Sequence, residues 1–140
     1  MNRSKASGRT SENGMRAIDT NILVRLITRD DIRQVASAER FIQHGAWVPM
    51  PALAEAIWVL ESVYELSPSS LARAIEMLLQ HNSLVLQDPE IVELALGLYR
   101  GRPSLGFSDC LMIESARKAG HLPLGTFDRT LSKVEGAHRL

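Results

Sequence analysis

The sequence predicts an α/β fold in which short, mostly parallel strands form a sheet wrapped by helices. Short apolar runs alternate with stretches of helical periodicity along the whole chain, a pattern typical of strand–helix–strand units. The chain has 140 residues, of which 45% are hydrophobic. A domain of this size buries enough surface to form a core without disulfides. We therefore expect one globular domain, with no internal repeat.

Turn residues and apolar periodicity place the individual elements. Four apolar runs bounded by Gly, Pro or polar residues predict strands at Arg16–Ile18, Ala46–Pro49, Ser83–Gln87 and Leu122–Phe127. Helices are predicted at Asn21–Ile27, from Asp30 or Asp31 to Gln43, at Pro51–Leu66, from Pro68 to Gln80, after Asp88-Pro89, and from Ser108 or Asp109 to Gly120. A last helical turn over Arg129–Val134 and a short tail complete the chain. The strands and helices thus alternate as a parallel sheet requires.

The first fourteen residues differ in composition from the rest. They are rich in Ser, Gly, Asn and Arg and contain no apolar stretch, so they match neither a secretory signal nor a membrane anchor. We predict a disordered extension over residues 1–14, or a true start at Met15, and a domain over residues 15–140.

Charge and cysteine content limit the possible partners and the compartment. Sixteen basic and sixteen acidic residues cancel, so no global field attracts a polyanion, which must be held by a local patch or a metal. The single Cys110 excludes an internal disulfide and suits a reducing compartment. No apolar run approaches the roughly twenty residues that span a bilayer. We expect a cytoplasmic protein without a membrane partner.

Four acidic residues stand in apolar sequence surroundings: Asp19, Glu55, Asp109 and Asp128. Asp19 follows a predicted strand, at the sheet edge where open α/β folds bind ligands. Glu55 has no cation one helical turn away, at i±4. Because an isolated carboxylate in an apolar environment is costly, we expect the four acids to converge around a divalent cation.

Each acid has a simpler alternative role except Glu55. Asp109 and Asp128 are each placed to cap a following helix, and Asp19 is placed to form an Asx turn. Oxygen ligands without His or Cys partners favour Mg²⁺ or Mn²⁺ over zinc. Such ions commonly hold phosphoryl oxygens and activate water for attack on a phosphodiester.

Several segments match a known family in order and separation: Ile18-Asp19-Thr20-Asn21, Leu53-Ala54-Glu55, Phe107-Ser108-Asp109-Cys110 and Thr126-Phe127-Asp128. With them the chain resembles the PIN-domain ribonucleases, and most closely the VapC toxins of bacterial type II toxin–antitoxin pairs. The resemblance implies a three-layer fold with four to five strands and Mg²⁺- or Mn²⁺-dependent cleavage of RNA. It also implies a homodimer and a cognate antitoxin protein that enters the active site.

The same resemblance assigns roles to single residues. Asp19 and Asp109 would contact the metal, Asp128 would hold it directly or through water, and Glu55 would orient the attacking water. Asn21 and Thr126 would support these ligands by hydrogen bonds.

The chain departs from the family pattern at two positions near Asp109. Cys110 stands where the family usually has Ala, a small apolar exchange. Glu114 replaces a small residue, and its offset from Asp109 predicts a surface position.

Two other functions fit parts of the pattern. A PIN-like module that binds RNA or protein without cutting would share the fold, although all four acids are present. A receiver-type phosphoacceptor domain needs a late Lys at a strand end, whereas Lys118 and Lys133 lie in predicted helical segments. For an RNA enzyme, Arg25–Arg29, Arg100–Arg102 and Arg129–Lys133 are predicted to line the approach, with a solvated face as the alternative for Arg100 and Arg102.

Overall fold

The structure, a computed structural model, describes residues 15–140. The predicted extension over residues 1–14 lies outside the described residues. Eleven helices and strands follow one another as β1 (Arg16–Ala17), α1 (Thr20–Thr28), α2 (Ile32–Phe41), β2 (Ala46–Val48), α3 (Met50–Ser62), α4 (Pro68–Gln80), β3 (Leu84–Leu86), α5 (Pro89–Gly101), α6 (Phe107–Ala119), β4 (Leu124–Thr126) and β5 (Ala137–Arg139). Two 3₁₀ turns lie at Pro103–Leu105 and Leu131–Lys133.

All strand pairs in residues 15–140 are parallel. β2 lies between β1 and β3, and its register places Trp47 beside Ala17 on one side and Val85 on the other. β4 pairs with β5 in a separate two-stranded sheet. The predicted α/β class with parallel strands is therefore confirmed. The hydrogen-bonded strands nevertheless form two groups instead of one sheet. The C-terminal tail supplies a fifth strand, which agrees with the four to five strands that the resemblance implies, although no strand was placed in the tail.

Three helices begin at a residue whose side chain accepts a hydrogen bond from a backbone N–H of the first turn, the role that Asp and Ser commonly have at an N-cap. Asp31 Oδ1 accepts from Gln34 N at 3.1 Å, which settles the choice between Asp30 and Asp31. Ser67 Oγ accepts from Ser70 N at 3.2 Å, ahead of Pro68 in the first turn. Asp19 caps α1 in the same way. Asp88, expected to begin α5 by the same device, makes no side-chain cap because its backbone is left-handed, with φ +48°.

The core lies between the strands and the helices that pack on them. α1 packs against α3, and α5 packs against α6. Fully buried side chains at these contacts include Leu23, Leu53 and Ile113. Tyr99 of α5 meets Phe107 of α6 edge to face, with ring centroids 5.8 Å apart. These two packed pairs support the first turns of α1 and α6, where two of the predicted site acids lie.

The helices of residues 15–140 are all too short or too polar to cross a membrane.

Candidate active site

Asp19 lies at the carboxyl end of β1, in the link to α1. Its Oδ1 accepts a hydrogen bond from Ile22 N at 3.1 Å, so it caps α1. The structure thus gives Asp19 a helix cap in place of the Asx turn that was the alternative. Only Oδ1 of Asp19 accepts the capping hydrogen bond. The second carboxylate oxygen of this exposed side chain is therefore left for a ligand.

Thr20, the next residue, connects Asp19 to Glu55. Thr20 Oγ1 donates to Glu55 Oε1 at 2.9 Å across 35 residues of sequence. This hydrogen bond brings the central acid of α3 to the N-terminus of α1, as the packing of α1 on α3 requires. Sequence reasoning gave Thr20 no role, although it stands inside the Asp-Thr-Asn segment that carried the resemblance.

The surroundings of Glu55 differ from the expectation. The helix was predicted to be buried on most sides, with Glu55 on an apolar face. Instead Pro51, Glu55 and Trp58 share an exposed side of α3, while Leu53 and Ile57 are buried. A nearly all-apolar helix has no periodic polar stripe, and so the sequence could not indicate which side faces solvent.

Asp109 lies in the first turn of α6 and is the one half-buried member of the four. It does not cap α6, since the residue before the helix is Gly106 and no side-chain cap is made. Burial raises the pKa of the Asp109 carboxyl, and the negative charge of Asp128 raises it further. Asp109 and Asp128 are therefore close enough for the charge of one to act on the other. Within residues 15–140, neither carboxylate forms an ion pair with a basic side chain.

Asp128 follows β4 and is held at both its backbone and its side chain. Thr126 Oγ1 accepts from Asp128 N at 2.9 Å, and Asp128 Oδ1 accepts from Leu131 N at 2.8 Å. The capping alternative is therefore present in the structure. Like Asp19, Asp128 has a second oxygen that this cap does not use, and the side chain is exposed.

A cavity lies between Glu55 and the first turn of α6, and of the four acids only Glu55 lines it. Its volume is about 370 Å³, and it is lined by Glu55 and Trp58 of α3 and by Phe107 and Ser108 of α6. Ser108 directly precedes Asp109. The order of neighbours is thus Asp19 and Thr20, then Glu55, then the first turn of α6, then Asp128.

As placed, these acids do not form a finished metal centre. Within residues 15–140 no three His, Cys, Asp or Glu side chains lie close enough together to hold one ion. The donor set nevertheless suits a hard cation, since it consists of carboxylates with free oxygens and includes a pair in mutual repulsion. The predicted Mg²⁺ or Mn²⁺ centre at Asp19, Asp109 and Asp128 stays a prediction.

The family is decided by a comparison with protein-family models. The PIN-domain model matches residues 17–137, which include all four acids and every element except the first residue of β1 and the end of β5. This chain belongs to the PIN-domain family. PIN domains are generally nucleases that bind nucleic acid and use divalent metal ions, and the family supports a hydrolase activity in general. No curated protein and no solved structure matches the chain.

Asn21 and Asp19 of the PIN domain line a second cavity, of about 330 Å³, between α1 and α2. Asn21 is exposed. Its predicted support of the ligands is not seen as a hydrogen bond to another of the predicted site residues within the part of the chain that the structure describes.

Of the six cations in the segments predicted to line the approach of RNA, three form ion pairs within residues 15–140 and three, including Arg102, do not. Arg25 pairs with Asp30 at 3.1 Å, Arg29 with Glu39 at 3.0 Å, and Arg100 with Glu76 at 2.7 Å. For Arg129 and Lys133, which flank the Asp128 turn, no ion pair occurs among residues 15–140. The third predicted segment is therefore the best source of free positive charge near the PIN-domain acids.

The expected surface position of Glu114 is wrong. Glu114 is 8% exposed and is the only buried charged residue in the described range 15–140. Arg117 Nε donates to its Oε1 at 3.3 Å, and Arg117 Nη2 donates to Glu135 O at 2.9 Å. Arg117 thus joins Glu114 to the C-terminal segment that leads into β5.

Proposed function

We propose that this PIN domain is a Mg²⁺- or Mn²⁺-dependent endoribonuclease and the toxin component of a type II toxin–antitoxin pair. The main support is that a nuclease family matches a chain in which Thr20, next to Asp19, binds Glu55, and in which the charge of Asp128 acts on Asp109. The toxin assignment depends on the motif resemblance to VapC.

Each of the four acids would have its own role at the bound cation. Asp19 and Asp109 would hold the cation directly, Asp128 would hold it directly or through water, and the bound cation would supply an activated water for attack on the phosphodiester. Thr20 fixes the Glu55 carboxylate by its hydrogen bond, so that Glu55 is held in place to orient water. Thr126 fixes the backbone of Asp128, and Asn21, which lines the same cavity as Asp19, would support it when the cation is bound.

The raised pKa of Asp109 fits this role. A carboxylate that is partly desolvated and repelled by Asp128 gains from a nearby cation, because the cation offsets both costs. We infer that binding of Mg²⁺ draws the four acids closer than they lie without it.

A second candidate is a PIN-like module that binds RNA or protein without cleaving. It is favoured by the observation that no three acids of residues 15–140 converge as an ion would require. The receiver-type alternative loses its support, because the PIN family accounts for the strand-end Asp19 and for the three other acids.

The biological setting is part of the proposal. A cognate antitoxin would cover the acids and offset their charge with a basic side chain, and two copies would form a homodimer. We place the protein in the cytoplasm, where RNA is available and where the free, buried Cys110 stays reduced.

Site-directed variants test the nuclease. Purified protein should cleave RNA with Mg²⁺ or Mn²⁺ and not in EDTA. Asp19→Asn and Asp109→Asn should each lower the cleavage rate at least ~100-fold, because each removes a charged ligand. Asp88→Asn is the matched control, since Asp88 is exposed, caps nothing and has a left-handed backbone that Asn tolerates.

Two results would decide against the proposal. Undiminished cleavage by both Asp→Asn variants in a clean preparation would refute the site. Binding of RNA with no hydrolysis at any concentration of either ion would favour the non-catalytic module.

The toxin role has its own test. Induced expression in a bacterial host should arrest growth, and co-expression of the short open reading frame next to the gene should relieve the arrest. Cleavage in vitro without growth arrest would leave the nuclease intact and remove the toxin assignment.

A further inference from the structure

The cavity of about 330 Å³ between α1 and α2 lies directly beside a predicted catalytic acid. Asp19 forms part of its wall, with Asn21 and Arg25 from α1 and with Gln34, Ser37 and Phe41 from α2. The lining thus combines an aromatic ring with side chains that donate and accept hydrogen bonds. Its volume lies at the small end of the range for ligand pockets, ~300–1,000 Å³, and suits one flat group.

The hydrogen-bonding capacity of Gln34 is fixed by Arg25. Arg25 Nε donates to Gln34 Oε1 at 2.6 Å, so the amide oxygen is engaged and its amino group is left as a donor for a ligand. Arg25 is itself held, because its Nη1 donates to Asp30 and to Tyr64, each at 3.1 Å. Arg25 is held in place and can only donate hydrogen bonds. The atom of the Gln34 amide that faces Arg25 is therefore the oxygen and not the amino nitrogen.

Phe41 is also held in place at the cavity. The guanidinium of Arg16 lies 3.8 Å from the centre of the Phe41 ring, and its Nη2 donates to Phe41 O at 3.0 Å. Single-stranded RNA is recognised by stacking of bases on aromatic rings and arginine planes, together with hydrogen bonds to the base edge. The cavity supplies both elements within reach of Asp19.

We propose that this cavity binds one base of the RNA next to the cleaved phosphodiester and selects a base with a carbonyl oxygen, that is uracil, guanine or cytosine, over adenine. Glutamine pairs with adenine through its oxygen and its amino group together, and the oxygen of Gln34 is already engaged. The Gln34 amino group, which can only donate, favours a base that presents a carbonyl oxygen as the acceptor. This inference rests on the proposed nuclease function, whose substrate preference it specifies.

Nucleotide binding without cleavage provides the first test. In EDTA, titration of the full chain with 5′-UMP, 5′-GMP or 5′-AMP is followed by the NMR signals of the side-chain amides. We expect UMP and GMP to bind about tenfold more tightly than AMP, the ratio that one net hydrogen bond gives, and to shift the Gln34 signal. Equal affinities for the three nucleotides, or shifts elsewhere only, would overturn the inference.

One substitution isolates the donor. Gln34→Glu keeps an oxygen for Arg25 Nε and replaces the amino group by a second acceptor, so the preference for UMP and GMP should disappear or reverse. Gln80→Glu, on α4, makes the same change of charge away from the cavity and should leave the preference intact. Ser37→Ala, at an exposed position of α2, should weaken binding of every nucleotide without altering the fold.

Cleavage mapping separates this inference from the function on which it rests. With a random RNA library and Mg²⁺, wild type should cut next to U, G or C in preference to A, and Gln34→Glu should lose that preference. Cleavage without base preference, unchanged in Gln34→Glu, would refute the base pocket and leave the nuclease standing. Nucleotide selectivity that depends on Gln34, in a protein that hydrolyses no RNA, would support the pocket and refute the nuclease.

Discussion

At the scale of single residues, the site acids use one oxygen for structure and leave the other for chemistry. Asp19 caps α1 and Asp128 caps the turn after β4, each through Oδ1. These caps restrict the side chains before any ligand arrives, which reduces the entropy that a cation must remove on binding. Capping and metal binding are therefore compatible uses of the same carboxylate.

The hydroxyl of Thr20 offers a direct test of how Glu55 is held. Thr20→Val removes the 2.9 Å hydrogen bond to Glu55 Oε1 while keeping the size of the side chain. We expect the rate of RNA cleavage to fall about tenfold. A hydrogen bond to a charged group contributes ~1.5–3 kcal/mol, and a water molecule bound to Glu55 would replace part of that interaction. The measurement is kcat/KM on a defined RNA, with kcat more affected than KM.

Two further variants check that prediction. Thr20→Ser restores the hydroxyl and should recover most of the rate. Thr130→Val, at an exposed threonine that donates no side-chain hydrogen bond within residues 15–140, should have no effect. Equal rates for Thr20→Val and wild type would show that Glu55 needs no support from α1.

The raised pKa of Asp109 makes a prediction about stability without metal. Burial and the charge of Asp128 both disfavour the ionised form in the folded state. Between the unfolded value near 3.8 and the higher folded pKa, the native state binds more protons than the unfolded chain. The free energy of unfolding therefore falls as pH rises through that window. In EDTA at pH 7, Asp109→Asn should be more stable than wild type, and the difference should shrink towards pH 4.

Thermal unfolding with and without Mg²⁺ completes this test. Wild type should gain stability from Mg²⁺ by mass action, about 2.7 kcal/mol at a concentration one hundred times Kd, and Asp109→Asn should gain much less. If Asp109→Asn is less stable than wild type in EDTA, Asp109 serves the fold and not a cation.

At the scale of elements, one glycine determines how α6 begins. Gly106 has φ +80° and ψ +141°, a region that residues with a Cβ avoid. A Cβ at this position would lie 3.9 Å from Asp109 Oδ2, which is ordinary contact, so the penalty comes from the backbone. Gly106→Ala should lower the free energy of unfolding by ~1–3 kcal/mol and reduce cleavage by displacing Asp109.

A second glycine is the matched control. Gly97 lies within α5, and a Cβ there would meet no atom within 4 Å. Gly97→Ala should therefore raise the free energy of unfolding by ~0.5–1 kcal/mol in urea titrations. The two alanine substitutions should change the free energy of unfolding in opposite directions. A stabilised Gly106→Ala variant would contradict the role of the positive φ at Gly106.

Much of this element structure could be predicted from the sequence, because the information is local. Pro after Ser67 and Pro after Asp88 mark helix starts, and Gly120 marks a stop. The apolar run before Asp19 indicates a strand. These features depend on residues within one turn of each other, so no knowledge of the fold is needed.

The remaining features depend on contacts between distant segments. β5 forms because the tail pairs with β4, and its residues Ala137–Arg139 carry no strand pattern of their own. The buried Glu114 is linked to that same tail through Arg117. The link from Thr20 to Glu55 and the exposure of Glu55 follow from the packing of α1 on α3, which periodicity does not specify. The list of four acids came from the sequence, whereas their pairwise arrangement did not.

At the scale of the whole molecule, the formal charge is zero because acidic and basic residues are equal in number. Arg25, Arg29 and Arg100 each lie against a carboxylate, so these three cations offer little free positive charge. RNA would therefore be drawn by the region of Arg129 and Lys133 and by a cation among the acids, and not by a general basic surface. Affinity for RNA should for this reason depend on divalent ions more than on the concentration of monovalent salt.

The exposed apolar side chains provide the surface for the proposed homodimer. Trp58 of α3 is 62% exposed, Val63 directly after α3 is 65% exposed, and Met112 of α6, which packs against α3, is 50% exposed. Trp and Met are enriched in the centres of protein interfaces. We expect light scattering to give twice the monomer mass for wild type. Trp58→Glu should weaken the dimer at least ~100-fold, because loss of a central Trp commonly costs more than ~2 kcal/mol.

The control for the dimer is another exposed apolar residue. Ile32, 86% exposed at the start of α2, lies on a different helix, and Ile32→Glu introduces the same charge. This variant should remain dimeric with an unchanged thermal unfolding midpoint. A wild-type monomer at every concentration tested would refute the homodimer, and a dimer disrupted by Ile32→Glu but not by Trp58→Glu would move its interface from α3 to α2. Because Trp58 also lines the cavity beside Glu55, a dimer through α3 would place the partner chain at the edge of the acid site, and dilution below Kd should then lower the cleavage rate per protomer.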